Sequence, residues 1–161
     1  MTGTDFFGVI EVLIRSDVQF VLIGGLAARL HGSPTVTIDV DICPARDPDN
    51  LERLAKALQE VKAQLRSVDE TVAFTIDVKS LQGSMNLTLM TSLGALDVLG
   101  EPAGTDGYRE LAANAITHEI EGLSLKVASL EDLMRMKEAS GRPKDRIELE
   151  VLGALKDELE S

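Results

Sequence analysis

An α+β fold, with a mixed β-sheet flanked by helices and closed by C-terminal helices, is predicted by three features of this sequence. Strand-like and helical segments are interspersed without the regular spacing of repeated βαβ units. One short run, Val18–Ile23, is apolar almost throughout, as expected of a strand buried on both faces. Further strand-like segments lie around Gly94, and a pair across Glu121-Gly122 suggests a hairpin.

The elements follow in order. Phe6, Phe7, Val9, Ile10, Leu13 and Ile14 recur at helical spacing, so residues 4–15 form an amphipathic helix. Gly24-Gly25 interrupts the buried run, and Leu26–His31 makes a short helix ended by Gly32 and Pro34. From Thr37 to Cys43 the side chains alternate in character, which predicts a strand. Asp47-Pro48 supplies an N-cap and a first-turn proline for a helix running to about Leu65. Between Arg66 and Ser84 the pattern is less legible, with a strand expected over Val72–Ile76 and a turn or short helix near Asp77.

Asn86–Thr91 and Ala95–Leu99 are strands, and Asp106 caps a helix through Ala113. Ile116–Ile120 and Leu123–Val127 form a hairpin. Ser129 with Asp132 is a capping-box variant that opens a helix to about Ala139, stopped by Gly141-Arg142-Pro143. Pro143–Glu160 is a last amphipathic helix. A chain of 161 residues with no internal repeat or long linker is expected to be one domain, with 129–161 as its C-terminal helical segment.

Composition narrows the function classes. A hydrophobic fraction of 44% supports a true core, while aromatics at 3% leave few platforms for stacking bases. The net charge of -11 is the wrong sign for gripping nucleic acid by bulk electrostatics. With a single cysteine, Cys43, no internal disulfide can form, which fits a reducing cytoplasm. No apolar stretch approaches the roughly 20 residues of a membrane span, and no leader-like segment opens the chain, so a cytoplasmic protein with no membrane partner is expected.

The chemistry concentrates between Phe20 and Cys43. A strand, two glycines and a helix start would expose backbone N–H groups to an anion with no Cβ in the way. A tight turn with no ligand would carry the same two glycines, and the segment lacks the Lys-Ser/Thr ending of a P-loop. On the following strand Thr37, Asp39 and Asp41 share one face, opposite Ile38, Val40 and Ile42. Neighbouring carboxylates on one face suit Mg²⁺, which takes hard oxygen ligands and can occur as pairs of ions roughly 3.5–4 Å apart. Solvated acids on a half-exposed strand are the plainer alternative, but Asp is a poor strand former. Asp97, in the apolar strand Leu96–Leu99, could complete a metal site or could pair with an Arg or Lys, since a lone buried charge is costly.

Arg135, Lys137, Arg142, Lys144 and Arg146 form the one basic cluster of an acidic chain. A solvated helix face would look similar; near a metal site, Lys137 and Lys144 could neutralise a triphosphate or hold an acceptor's phosphates. His31 and His118 are too far apart and too unaccompanied to suggest zinc, and His31 is expected to pack or hydrogen-bond behind the glycine turn.

Four segments, IGGLAARLHG, TIDVDI, LGALDVLG and MKEASGRPKDRIELEVL, together make the chain resemble the nucleotidyltransferase superfamily, in particular its small bacterial branch related to AbiEii-type toxins. The resemblance covers about Phe20 to Leu155. It implies a nucleotidyltransferase fold and an enzyme that moves a nucleoside monophosphate from a nucleoside triphosphate to a hydroxyl. It further implies that Gly24 and Gly25 hold the triphosphate with Thr37 beside them, that Asp39, Asp41 and Asp97 bind Mg²⁺, and that Asp97 helps to deprotonate the acceptor. Lys137, Lys144 and Asp145 match the branch's lysine and basic-Asp motif beside the site. The chain departs from the pattern in Thr35 and Ile38, where relatives are more basic, and in Glu148, where Asp is commoner.

The first acceptor expected is RNA, such as a tRNA acceptor end, in a toxin–antitoxin setting with a cognate antitoxin as partner. The acidic composition favours the alternative, a small cationic acceptor of the aminoglycoside or lincosamide type. A non-catalytic nucleotide- or partner-binding module is a third reading, against which the three aspartates argue.

Overall fold

A computed structural model of the chain describes residues 3–66, 76–83 and 86–160. Helix α1 (Phe6–Arg15) is capped by the Asp5 carboxylate, which accepts from Gly8 N–H at 2.9 Å, and buries Val9, Ile10 and Leu13. Strand β1 (Phe20–Ile23) is buried along its whole length. Helix α2 (Gly24–Leu30) follows with no residue between, so the two glycines are its first turn rather than a loop before Leu26. Strand β2 (Asp39–Pro44) starts two residues later than its alternating pattern suggests. Thr37 turns its hydroxyl back onto Asp39 C=O at 3.3 Å instead of joining a ladder.

Helix α3 (Pro48–Glu60) begins as expected, with Asp47 accepting from Asn50 N–H at 3.1 Å. It ends well before Leu65. Lys62 has φ 55, so the backbone turns left-handed there and enters strand β3 (Gln64–Leu65). Leu65 kept the helical period in sequence because it, too, packs against the core, but from a strand. Buried Asn50 ties the start of α3 to the sheet: its Oδ1 accepts from Gln19 N–H at 2.7 Å, and its Nδ2 donates to Gln19 C=O at 2.9 Å and Ala45 C=O at 2.7 Å. Three backbone groups and both ends of the Asn50 amide are satisfied together, the condition for burying an amide.

Most of the strand expected over Val72–Ile76 lies outside the described residues; Ile76 is described, buried and in no element. Helix α4 (Val78–Gly83) supplies the short helix near Asp77. Strands β4 (Asn86–Thr91) and β5 (Gly94–Leu99) form an antiparallel pair around Gly94. Helix α5 (Tyr108–Asn114) takes Gly107 rather than Asp106 as its N-cap. Strands β6 (Ile116–Ile120) and β7 (Leu123–Val127) close a hairpin in which Glu121 and Gly122 both have positive φ, the conformation of a tight two-residue turn. Helix α6 (Leu130–Ser140) is capped by Ser129 and stopped at left-handed Gly141, and α7 (Pro143–Glu160) packs back on it.

The seven strands form one sheet in the order β3-β4-β5-β2-β1-β7-β6. The β2–β5 and β1–β7 pairs are parallel and the remainder antiparallel, which makes the sheet mixed. The α+β expectation is met. Val21, Leu22, Val40, Ile42, Leu54, Leu58, Leu89 and Leu125 anchor an aliphatic core, each 0% or 1% exposed. The three central strands β5, β2 and β1 are thereby fixed in register, and β2 and β5 carry the acidic residues. Among the described residues, no helix is long and apolar enough to cross a membrane.

Candidate active site

The parallel ladder between β2 and β5 sets the geometry. Asp39 pairs with Ala95 and Asp41 with Asp97, while Val40 and Ile42, with the opposite orientation, are fully buried. One face of the sheet thus collects Asp39, Asp41 and Asp97, and each offers a carboxylate oxygen within 4.8 Å of the others. Two acids directly opposite each other repel. Burial pushes the Asp41 carboxyl up to about 6, and the charge of Asp39 adds to that rise against the positive charges of Lys137, Arg66 and Lys144.

The donor set fits a divalent magnesium ion: three hard carboxylates, with Asp41 Oδ1 buried and left without a hydrogen-bond partner. A buried acceptor with no donor costs free energy that a cation would recover.

Gly24 and Gly25 lie against this face. A Cβ at Gly24 would stand 2.8 Å from Asp41 Cγ and closer still to its oxygen, and Gly24 has φ +74. A Cβ at Gly25 would stand 2.9 Å from Thr37 Cβ and Oγ1. Gly24 is therefore required by the close approach of the α2 start to Asp41 on β2, and Gly25 by its approach to Thr37 just before that strand.

Lys137, on α6, joins the same place. It lines a pocket of about 160 Å³ together with Gly24, Asp41, Leu99, Met136 and Arg142. Its ammonium is held by Glu148 and, at 3.4 Å, by Asp145 Oδ1. Asp145 is fully buried, which by itself disfavours its charge. Hydrogen bonds from Ser140 Oγ and from Arg142 Nε (2.9 Å), with the charge of Lys137, outweigh burial and hold the carboxyl down at about 2. Asp145 thus fixes the α6–α7 turn and two of the basic residues that face the carboxylates. Lys144 is exposed and reaches Asp41 only through its field.

The basic cluster is largely spent internally. Arg135 pairs with Glu110 at 2.6 Å and Asp132 at 3.0 Å, Lys137 with Asp145 and Glu148, and Arg142 with Asp145. His31 Nε2–H donates to Ala128 C=O at 2.8 Å. The fold also brings its ring edge-on to His118, with centroids 6.2 Å apart, despite their separation in sequence. Among the described residues the aspartates are the metal-type cluster.

One site residue escapes the sequence pattern. Arg66 pairs with Asp97 and, at 3.4 Å through Nη1, with Asp39 Oδ1. The partner anticipated for Asp97 therefore exists alongside the carboxylate cluster. No motif or spacing marks Arg66; only the pairing of β3 with β4, and β4 with β5, brings it there.

No protein-family profile and no curated protein matches the sequence. Solved structures do. The lincosamide antibiotic adenylyltransferase LnuA, bound to lincomycin, superposes with a TM-score of 0.63 at 11% identity, covering 96% of this chain and 99% of that one. A Thermotoga maritima protein described as a candidate nucleotidyltransferase gives 0.58 at 19% identity, over 90% and 88% of the two chains. The antibiotic-resistance factor ANT(2'')-Ia gives 0.55 at 12% identity, over 96% and 89%. With its mixed sheet, flanking helices and C-terminal helix pair, the chain has the nucleotidyltransferase fold.

Proposed function

We propose that this chain is a Mg²⁺-dependent nucleotidyltransferase that moves a nucleoside monophosphate from a nucleoside triphosphate to a hydroxyl acceptor. The observation that carries the reading is the gathering of Asp39, Asp41 and Asp97 on one sheet face, against a glycine turn that leaves no room for a Cβ.

Held by these carboxylates, Mg²⁺ would supply charge stabilisation to the attacking and leaving oxygens. The chain's own residues do the rest. Gly24 and Gly25 let the triphosphate approach the backbone, with Thr37 beside them. Exposed Lys144 offsets its charge, while Lys137 is held beside Asp41 by Asp145 and Glu148. Asp97 takes the proton of the acceptor hydroxyl as that oxygen bonds to the α-phosphorus; the bond to the β-phosphate's bridging oxygen breaks, and its electrons leave with pyrophosphate. Asp145 keeps Lys137 and Arg142 in place.

The acceptor most compatible with this surface is a small cationic molecule bearing hydroxyls. The net charge is -11, and Arg135, Lys137 and Arg142 are already neutralised by acids of the chain. Two neighbours in fold support this, a lincosamide adenylyltransferase and an antibiotic-resistance factor. An RNA end such as a tRNA acceptor, in a toxin–antitoxin setting with a cognate antitoxin, is the second reading. It is favoured by the basic-Asp segment around Lys137 and Asp145, and by exposed Lys144 and Arg146.

Incubating the protein with Mg²⁺ and each of the four α-labelled triphosphates tests both, using aminoglycosides and lincosamides in one arm and total RNA in the other. Label on the small molecules is the expected result, label on RNA would select the second reading, and label on neither would overturn nucleotidyl transfer to these acceptors.

A further inference from the structure

Arg66, the residue after β3, lies in one row with Thr88, Asp97 and Asp41 on β4, β5 and β2. Arg66 N–H donates to Thr88 C=O at 2.9 Å, Thr88 pairs with Asp97, and Asp97 pairs with Asp41. The end of β3 therefore delivers a guanidinium to the carboxylate face, where it bridges Asp97 and Asp39. These are two of the three groups that offer oxygens to a metal.

Two buried side-chain polar atoms lack a partner among the described residues, and both belong to this row: Asp41 Oδ1, an acceptor, and Arg66 Nε, a donor. Other arginines of the chain hydrogen-bond through Nε, among them Arg53 to Asp17 C=O and Arg142 to Asp145. The row thus holds an acceptor on Asp41 that a cation would satisfy and a donor on Arg66 that a phosphate oxygen would satisfy. A metal–phosphate complex brings the two together, and a metal ion alone brings only one.

We propose that Arg66 is an exchangeable counter-ion, holding Asp39 and Asp97 together until metal arrives and then binding a phosphate of the metal–triphosphate complex. The inference rests on the nucleotidyltransferase reading for its ligand, but on the Arg66 ion pairs for its mechanism. A dication entering among the three aspartates meets the positive charge of Arg66 at contact range, so Arg66 opposes metal binding alone. Once released, its planar fork matches a phosphate, for which arginine is well suited. The two roles have opposite signs, which a purely structural arginine would not show.

The test is a pair of titrations on the full chain. The probes are Mn²⁺ alone, and the preformed complex of Mn²⁺ with inorganic tripolyphosphate, which needs no knowledge of the base. Arg66→Met keeps the apolar stem and removes the charge. It is expected to bind Mn²⁺ about tenfold more tightly and the tripolyphosphate complex about tenfold more weakly, as expected for one charge-assisted contact. Arg66→Lys keeps a positive charge without the fork, and is expected to restore weak Mn²⁺ binding but only part of the affinity for the complex. Circular dichroism on both variants confirms folding. If Arg66→Met binds Mn²⁺ no more tightly, or the complex no more weakly, while the unaltered chain binds Mn²⁺, the role of Arg66 is wrong and the metal site stands. If neither protein binds Mn²⁺, the metal site fails and the inference falls with it.

Discussion

Asp41 and Asp97 are direct partners across the parallel β2–β5 ladder, so two acids share one rung of the sheet. Like charges in that relation destabilise a sheet. Burial first, and then the charge of Asp39, raises the Asp41 carboxyl to about 6, against the opposing charges of Lys137, Arg66 and Lys144.

The pH dependence follows from that value. Asp41 titrates near its ordinary 3.8 when unfolded and near 6 when folded, so the folded chain holds the proton more tightly. Its contribution favours folding at low pH and is lost as pH rises through about 6. Asp41→Asn should therefore leave stability nearly unchanged near pH 4 and raise it above pH 7, by on the order of 1–3 kcal/mol. Thermal melts across pH with a chelator present would show it. A variant less stable at pH 8 than the unaltered chain would contradict the assignment.

Metal binding should show the opposite trend. Deprotonated Asp41 is the ligand form, so Mn²⁺ affinity should climb as pH passes through about 6 and level off above it. Asp41→Asn should remove that step. Calorimetric titrations between pH 5 and 8 measure both.

Asp39→Asn and Asp97→Asn should each lower nucleotidyl transfer by about a thousandfold, because each removes a charged oxygen donor from the cluster. Their circular dichroism should match the unaltered chain, since both side chains lie on the open face of the sheet. Full transfer by Asp39→Asn would show that the chemistry lies elsewhere.

Gly24→Ala should be harmful for two reasons that act together. Its φ of +74 strains any residue with a Cβ, and the added atom would meet the Asp41 carboxylate. A stability loss of about 1–3 kcal/mol is expected, along with loss of triphosphate binding. Gly122→Asn is the matching control, since a Cβ at Gly122 meets nothing and Asn tolerates a left-handed turn.

Asp145 behaves oppositely to Asp41. Its carboxyl is held down at about 2 by Ser140 and Arg142, so its stabilisation is present above about 3.8 and is lost as pH falls toward 2. Asp145→Asn should cost about 2 kcal/mol at pH 7, and the deficit should shrink on acidification. Denaturant unfolding at pH 7 and pH 3 distinguishes this from a loss of packing, which would persist at both.

The legibility of this chain was uneven for physical reasons. Caps such as Asp47-Pro48 and Ser129, and the stop at Gly141, act within a few residues, so they could be read directly. The end of α3 could not, because Leu65 keeps the apolar rhythm of a helix while lying in a strand beyond the left-handed Lys62. By sequence the basic run from Arg135 to Arg146 fits a solvated helix face or a surface for phosphates. In the fold most of it is consumed by Asp132, Asp145, Glu110 and Glu148.

Alternation along β2 determined that Asp39 and Asp41 share a face, because side-chain direction in a strand is local and has period two. The apolar setting of Asp97 determined that it needed a partner. Which partner it has was decided only by tertiary structure. The order β3-β4-β5-β2 sets Asp97 opposite Asp41 and carries Arg66 to both Asp97 and Asp39, and strand order is a long-range property that no spacing in the chain encodes.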